Sequence, residues 1–234
     1  MEVAYQNIKV IGFDADDTLW VNETYFRDAE TVFAKLLSKY ETPNKIDQEL
    51  FRMEIDNLPL YGYGVKAFTL SMVESAIELS NYNVPTKTIE AILNIGKDML
   101  NKPVELLDGV EAVLKVLSQK YRLILATKGD LLDQERKLEK SGLTKYFHHI
   151  EVLSDKKEAN YSKLLNNLDI NPSEFLMIGN SLKSDVLPLV NIKAHAVHVP
   201  FHTTWAHEEV TEEEKNGKAY KTIQNLTDIL KLLD

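Results

Sequence analysis

The 234-residue chain contains no cysteine, which excludes disulfides and thiolate metal sites. That absence fits a reducing compartment, and the expected location is the cytoplasm. No uncharged apolar run approaches the roughly 18 residues of a membrane-spanning helix, so no membrane partner is expected. Residues 1–6 have neither the basic stretch nor the apolar run of a secretion leader, and no export is expected. Basic blocks are also missing. With a formal charge of −9 and no Lys/Arg-rich face, nucleic acid is not an expected partner. The 9 glycines and 7 prolines are few for 234 residues, and neither low-complexity segments nor internal repeats occur. The remaining composition, 44% apolar and 27% charged, is that of a globular protein large enough for a core domain with an insert. Monomer and homodimer both stay open.

Short apolar runs at residues 8–13, 122–126, 150–153, 175–178 and 194–199 read as strands. They lack polar alternation, as strands buried on both faces do. Helical patterns occupy 110–117, 131–140, 161–168 and 182–190, with Asp130 placed to cap the second of these. Strand alternating with helix predicts an α/β fold, a doubly wound, mainly parallel sheet. The interval after the first strand breaks this rhythm. Residues 24–40, 46–58, 65–79 and 86–100 all carry helical periodicity, with breaks at 81–85 and 101–103. About 80 residues exceed any single crossover connection. The expected organisation is therefore a core of 1–21 and 105–234 with a helical insert of 22–104. An insert at the C-terminal end of a strand lies over the ligand crevice of such sheets and can act as a lid. Residues 220–233 place Tyr220, Ile223, Leu226, Ile229, Leu230 and Leu233 on one helical face, predicting a packing helix.

Chemistry concentrates where the strands end. The first run leads into Asp14-Ala15-Asp16-Asp17-Thr18-Leu19. In a strand, carboxylates at i and i+2 point to the same side. Burying both unpaired costs several kcal/mol, which a hard cation such as Mg²⁺ would offset. Such a carboxylate can also take up a phosphoryl group as a nucleophile. Read alone, Asp16-Asp17-Thr18 has a turn with a helix cap as its lesser alternative. The second run is followed by Thr127-Lys128-Gly129-Asp130, a hydroxyl just before a helix start, which suits phosphate. The third is followed by Ser154-Asp155-Lys156-Lys157, where a lysine can offset clustered carboxylates. The fourth is followed by Gly179-Asn180-Ser181-Leu182-Lys183-Ser184-Asp185. In one sheet these four clusters converge on one crevice.

In these residues the chain resembles the haloacid dehalogenase (HAD) superfamily of phosphohydrolases, whose four motifs appear in order along essentially its whole length. The resemblance implies a Rossmann-like HAD core and a helical cap of type C1. It implies Asp14 as nucleophile and Asp16 as general acid/base and carbonyl ligand to Mg²⁺. It implies Thr127 as phosphate ligand, Lys156 (or Lys157) as the steadying cation and Asp185 as metal ligand. Two positions depart from the family pattern. Asp17 stands where glycine is usual, and Asn180 stands where an aspartate is common; its amide oxygen can still coordinate a metal or support Asp185. Lys128, after the motif-two hydroxyl, is a candidate substrate contact. Asp16 separates the chain from haloacid dehalogenases proper, which lack that acid. The expected activity is Mg²⁺-dependent cleavage of a small phosphorylated metabolite through an aspartyl-phosphate. The alternatives are a phosphotransferase or phosphomutase with the same nucleophile, and a non-catalytic phosphate-binding module.

Two loops complete the candidate list. Leu60-Tyr61-Gly62-Tyr63-Gly64-Val65-Lys66 lies in the insert, where Tyr63 and Lys66 could read the substrate; the alternative is a plain helix-helix turn. Residues 199–208 follow the last strand and include His202, His207 and Glu208. Their spacing matches no zinc signature, so a packed, hydrogen-bonded loop is expected.

Overall fold

The computed structural model describes Tyr5 and residues 7–234, so the reading of residues 1–4 and 6 as free of a leader lies outside the described residues. The residues form two compact units. The first comprises the described residues up to Glu23, Val104–Lys128 and Gln134–Asp234. The second comprises Thr24–Pro103 with the short segment Gly129–Asp133.

The first unit is built on a sheet of β1 (Val10–Phe13), β2 (Arg122–Lys128), β3 (His149–Leu153), β4 (Phe175–Gly179), β5 (His195–His198) and β6 (Lys221–Thr222). All neighbours run parallel, in the order β3-β2-β1-β4-β5-β6. The winding reverses beside β1, which pairs with β2 on one side and β4 on the other. That is the position where open α/β sheets form their ligand crevice, at the strands' C-terminal ends.

Burial follows the pleat. Ile11, Phe13, Leu123, Leu125 and Ile178 face one apolar layer with α5 (Val110–Leu117). Val10, Ile124, Ala126, Phe175 and Met177 face the other, with Tyr161 and Leu164 of α7 (Glu158–Asn167). Both faces of the central strands are covered, which is why β1, β2 and β4 read as continuous apolar runs. Gly12 sits mid-strand because a Cβ there would lie 2.6 Å from the Phe175 ring.

The second unit contains α1 (Glu23–Leu37), α2 (Pro43–Tyr61), α3 (Val65–Leu79) and α4 (Thr86–Asn101), apart from Glu23 itself. Its core is Phe33, Leu37, Ile46, Leu50, Phe68, Met72 and Ile92, each presented at helical spacing. Asn57 reaches Ser71 and Glu74 across the α2–α3 pair, at 3.1 Å each.

Two predicted helices are corrected. Residues 220–233 form β6, a 3-10 turn at Leu226–Asp228 and the short α10 (Ile229–Leu232). Ile223, Leu226 and Ile229 are all buried, so their spacing of three satisfies a strand-turn-helix path as well as a helix. Residues 182–190 divide into a π-helical turn, Leu182–Val186, and α8 (Leu187–Asn191). Pro188 lies in the first turn of α8, where a missing N–H costs nothing.

Candidate active site

Asp14 follows β1 directly, and its backbone N–H donates to Ile178 O of β4 at 2.9 Å. The chain then leaves the sheet in a tight turn. Asp17 has φ +62°, the left-handed region that favours glycine and that aspartate tolerates better than most residues. Its carboxylate uses that position. It accepts from the backbone N–H of Asn22 (2.8 Å) and Glu23 (2.9 Å), tying the turn to the start of α1. This accounts for an aspartate where glycine is usual.

The turn also corrects the strand-based expectation that Asp14 and Asp16 point together. Asp14 is buried and Asp16 half-buried, and they meet different partners. Lys156 Nζ donates to Asp14 Oδ1 at 2.5 Å and to Asp185 Oδ1 at 2.6 Å. Thr18 Oγ1 donates to Asp14 Oδ2 at 3.0 Å. Asp16 instead accepts from Trp20 Nε1 (2.7 Å), Lys137 Nζ (2.6 Å) and Gln134 Nε2 (2.8 Å). Gln134 and Lys137 lie one turn apart on α6 (Leu131–Ser141), the helix that Asp130 caps by accepting from Asp133 N at 3.1 Å.

Of the two adjacent lysines, Lys156 is buried among carboxylates, while Lys157 is exposed and paired with Asp155. Asp185 is buried: Oδ1 accepts from Lys156 and Oδ2 from Ser181 N at 3.0 Å. Burial, then the charge of Asp185, push Asp14 up against the pull of Lys156, to about 7. Two buried carboxylates share one ammonium, an arrangement that an added cation would relieve.

The donor chemistry around Asp14 fits Mg²⁺. The Asn180 side-chain amide lies 3.1 Å from Asp14 Oδ2 and 3.3 Å from the Asp16 carbonyl. With its nitrogen inward, it donates to both. With its oxygen inward, it adds an amide oxygen to Asp14 Oδ2 and the Asp16 carbonyl, the hard oxygen donors that suit Mg²⁺. Among the described residues no group of three or more His, Cys, Asp or Glu is gathered for a metal, so the set depends on the carbonyl and the amide.

Thr127 is buried at the end of β2, and its Oγ1 donates to Lys128 O at 3.1 Å. Lys128 Nζ donates to Ser184 Oγ (2.9 Å) and to Glu208 Oε1 (2.6 Å). Tyr63 and Lys66 belong to the helical unit, where Gly62 (φ +70°) and Gly64 (φ +102°) shape the α2–α3 turn. Lys66 Nζ pairs with Asp130 Oδ1 at 2.8 Å. Trp20, Gln134 and Lys137 were not singled out as site residues from the sequence, and Glu208 was named only as part of the 199–208 loop. The Gln134/Lys137 pair carried a signal, being i and i+3 on a helix that starts just after Thr127.

This arrangement, a buried carboxylate bridged to a lysine where a doubly wound sheet reverses, defines a class. A family profile described as haloacid dehalogenase-like hydrolase matches residues 8–192, and the chain belongs to that family of enzymes. Among solved structures, a haloacid dehalogenase-like hydrolase from Xanthomonas campestris is 36% identical with a TM-score of 0.85, covering 97% of this chain and 92% of its own. A Bacillus subtilis HAD-hydrolase bound to magnesium has the same fold, with a TM-score of 0.65 at 16% identity over 97% of this chain and 99% of its own. Human N-acylneuraminate-9-phosphatase is 24% identical over 190 residues, 76% of this chain and 77% of its own. No helix of the described residues is long and apolar enough to cross a membrane.

Proposed function

We propose that the enzyme is a Mg²⁺-dependent phosphatase that cleaves small phosphate monoesters through an aspartyl-phosphate on Asp14. One observation carries the reading: a buried carboxylate held 2.5 Å from a buried lysine at the C-terminal edge of β1. The phosphatase relatives support it.

Asp14 attacks phosphorus, and the bond from phosphorus to the ester oxygen breaks. The leaving oxygen takes a proton from the Asp16 carboxyl. A water then attacks the aspartyl-phosphate, gives its proton to Asp16 and releases Asp14 and inorganic phosphate. Lys156 balances the phosphoryl oxygens, and Thr127 hydrogen-bonds one of them. Asp14, the Asp16 carbonyl and Asn180 would hold Mg²⁺, with Asp185 the remaining candidate. Bound there, the ion would neutralise charge on the transferring group. The helical unit is assigned the role of a cap that selects the leaving group.

A panel of phosphate esters with Mg²⁺, N-acylneuraminate 9-phosphate included, tests the reading. Turnover is expected, with loss after EDTA treatment and recovery with Mg²⁺. Asp14→Asn, an amide that cannot attack, should lower kcat by about 10⁴-fold or more while the protein stays folded. Near-wild-type turnover by that variant rules out the covalent route.

A further inference from the structure

Glu208 lies in a loop 80 residues from Lys128, yet its carboxylate is the meeting point of three segments. Oε1 accepts from Lys128 Nζ at the end of β2 (2.6 Å). Oε2 accepts from Ser181 Oγ (2.5 Å) and Ser184 Oγ (2.6 Å) in the turn after β4. Every proton has a place. Ser181 Oγ accepts from Ser184 N at 3.0 Å while donating to Glu208. Ser184 Oγ accepts from Lys128 Nζ at 2.9 Å while donating to Glu208. A largely enclosed network closed in this way is rigid, whereas a partly satisfied one is costly. Burial alone would raise the Glu208 carboxyl, but Lys128 and the two serine hydroxyls hold it down to about 2.

The turn that Glu208 grips is unusual. Leu182–Val186 is a π-helical turn, closed by Leu187 N donating to Leu182 O. Such turns are rare and are found at functional sites. Ser181 N donates to Asp185 Oδ2, and Asp185 N donates to Ser181 O at 2.8 Å. Asp185 in turn holds Lys156, and Lys156 holds Asp14.

We propose that Glu208 is a positioning residue for phosphoryl transfer: it braces the π-turn so that Asp185 keeps Lys156 on Asp14. This rests on the reading of Asp14 as the phosphoryl acceptor. A bond path Glu208–Ser181–Asp185–Lys156–Asp14 runs without a gap, and Lys128 supplies the counter-charge that keeps Glu208 ionised in place. The acidic residue of the 199–208 loop therefore serves the reaction without touching substrate.

Glu208→Gln keeps size and removes charge and one acceptor. The test measures kcat and KM on the best ester, with hydrogen exchange of residues 180–188 as a readout independent of turnover. The expected result is at least tenfold faster exchange there and a kcat at least tenfold lower. KM should stay within threefold, because substrate is still held by other groups. In Glu208→Gln/Lys128→Met the charge imbalance is gone but the brace is still missing, so kcat should stay low. Ser184→Ala, a smaller change, should lower kcat severalfold with the same KM pattern, and it decides the matter if Glu208→Gln does not fold. Wild-type exchange and kcat in these variants would overturn the proposal. So would recovery of kcat in the double variant, which would leave Glu208 only neutralising Lys128. If the wild type turns over no ester, the phosphatase reading has failed and the exchange data alone decide the brace.

Discussion

Asp14, Asp16 and Asp17 are three aspartates within four residues, and each is set to different work by the turn that carries them. Asp14 meets an ammonium, Asp16 meets three donors, and Asp17 ties down backbone N–H groups from φ +62°. Asp17→Ala loses both bonds and leaves a Cβ in the left-handed region. It should cost about 2 kcal/mol, read as a lower urea midpoint with an unchanged slope. Asp17→Gly loses the same bonds but fits the backbone, and should cost less. Equal losses would place the whole effect in the hydrogen bonds. Glu208 offers a test by pH. Its folded value of about 2 lies below the ordinary 4.5, so folding favours the ionised form. The stability it contributes is present above about pH 5 and is lost as pH falls towards 2, since protonation then weakens the folded state more than the unfolded one. The full difference corresponds to roughly 3 kcal/mol. The stability gap between wild type and Glu208→Gln should therefore be widest near neutrality and close on acidification, measured by urea unfolding from pH 7 to 3. A gap independent of pH would mean that the loss comes from shape and not charge.

The ends of β1, β2, β3 and β4 deliver the site, and β4 does so through a glycine. A Cβ on Gly179 would lie 2.3 Å from the Asp185 carboxylate. Gly179→Ala must displace Asp185 and, with it, Lys156. Misplacing a catalytic group by about 1 Å costs on the order of 100-fold, and kcat should fall by about that factor while far-UV circular dichroism is retained. An unchanged kcat would show that Asp185 can shift without moving Lys156. Strands β1 to β5 were legible in the sequence as apolar runs, whereas β6, two exposed residues, was not; α3 and α5 match their predicted bounds, Val65–Leu79 and Val110–Leu117. The four polar clusters were legible because each follows such a run. The 220–233 segment was misread because spacings of three serve a 3-10 turn as well as an α-helix. The π-turn was hidden because its extra residue leaves no mark in the apolar pattern. Glu208 stood out only as one residue of the 199–208 loop, and its role was hidden: its partners are 24, 27 and 80 residues away, and only the sheet brings them together.

At the scale of the molecule, two units with separate cores divide the labour proposed for them. The sheet unit holds Asp14, Lys156 and Asp185, and so would handle the phosphoryl group whatever ester carries it. The helical unit holds Tyr63 and Lys66, on or beside a turn made by two glycines with positive φ. If that unit reads the leaving group, its variants should change selectivity and spare the common chemistry. Tyr63→Ala and Lys66→Ala are then expected to reorder the natural esters by kcat/KM. Either change should alter p-nitrophenyl phosphate less, because a small aryl ester offers few groups for remote recognition. Lys66→Ala also breaks its pair with Asp130, an exposed contact worth no more than about 1 kcal/mol, so global unfolding is not expected to confuse the result. Parallel kinetics on both kinds of substrate decide it. Equal losses on both would mean that the turn serves closure or folding and not recognition. With no loss on either, selectivity would have to be sought in residues 201–207.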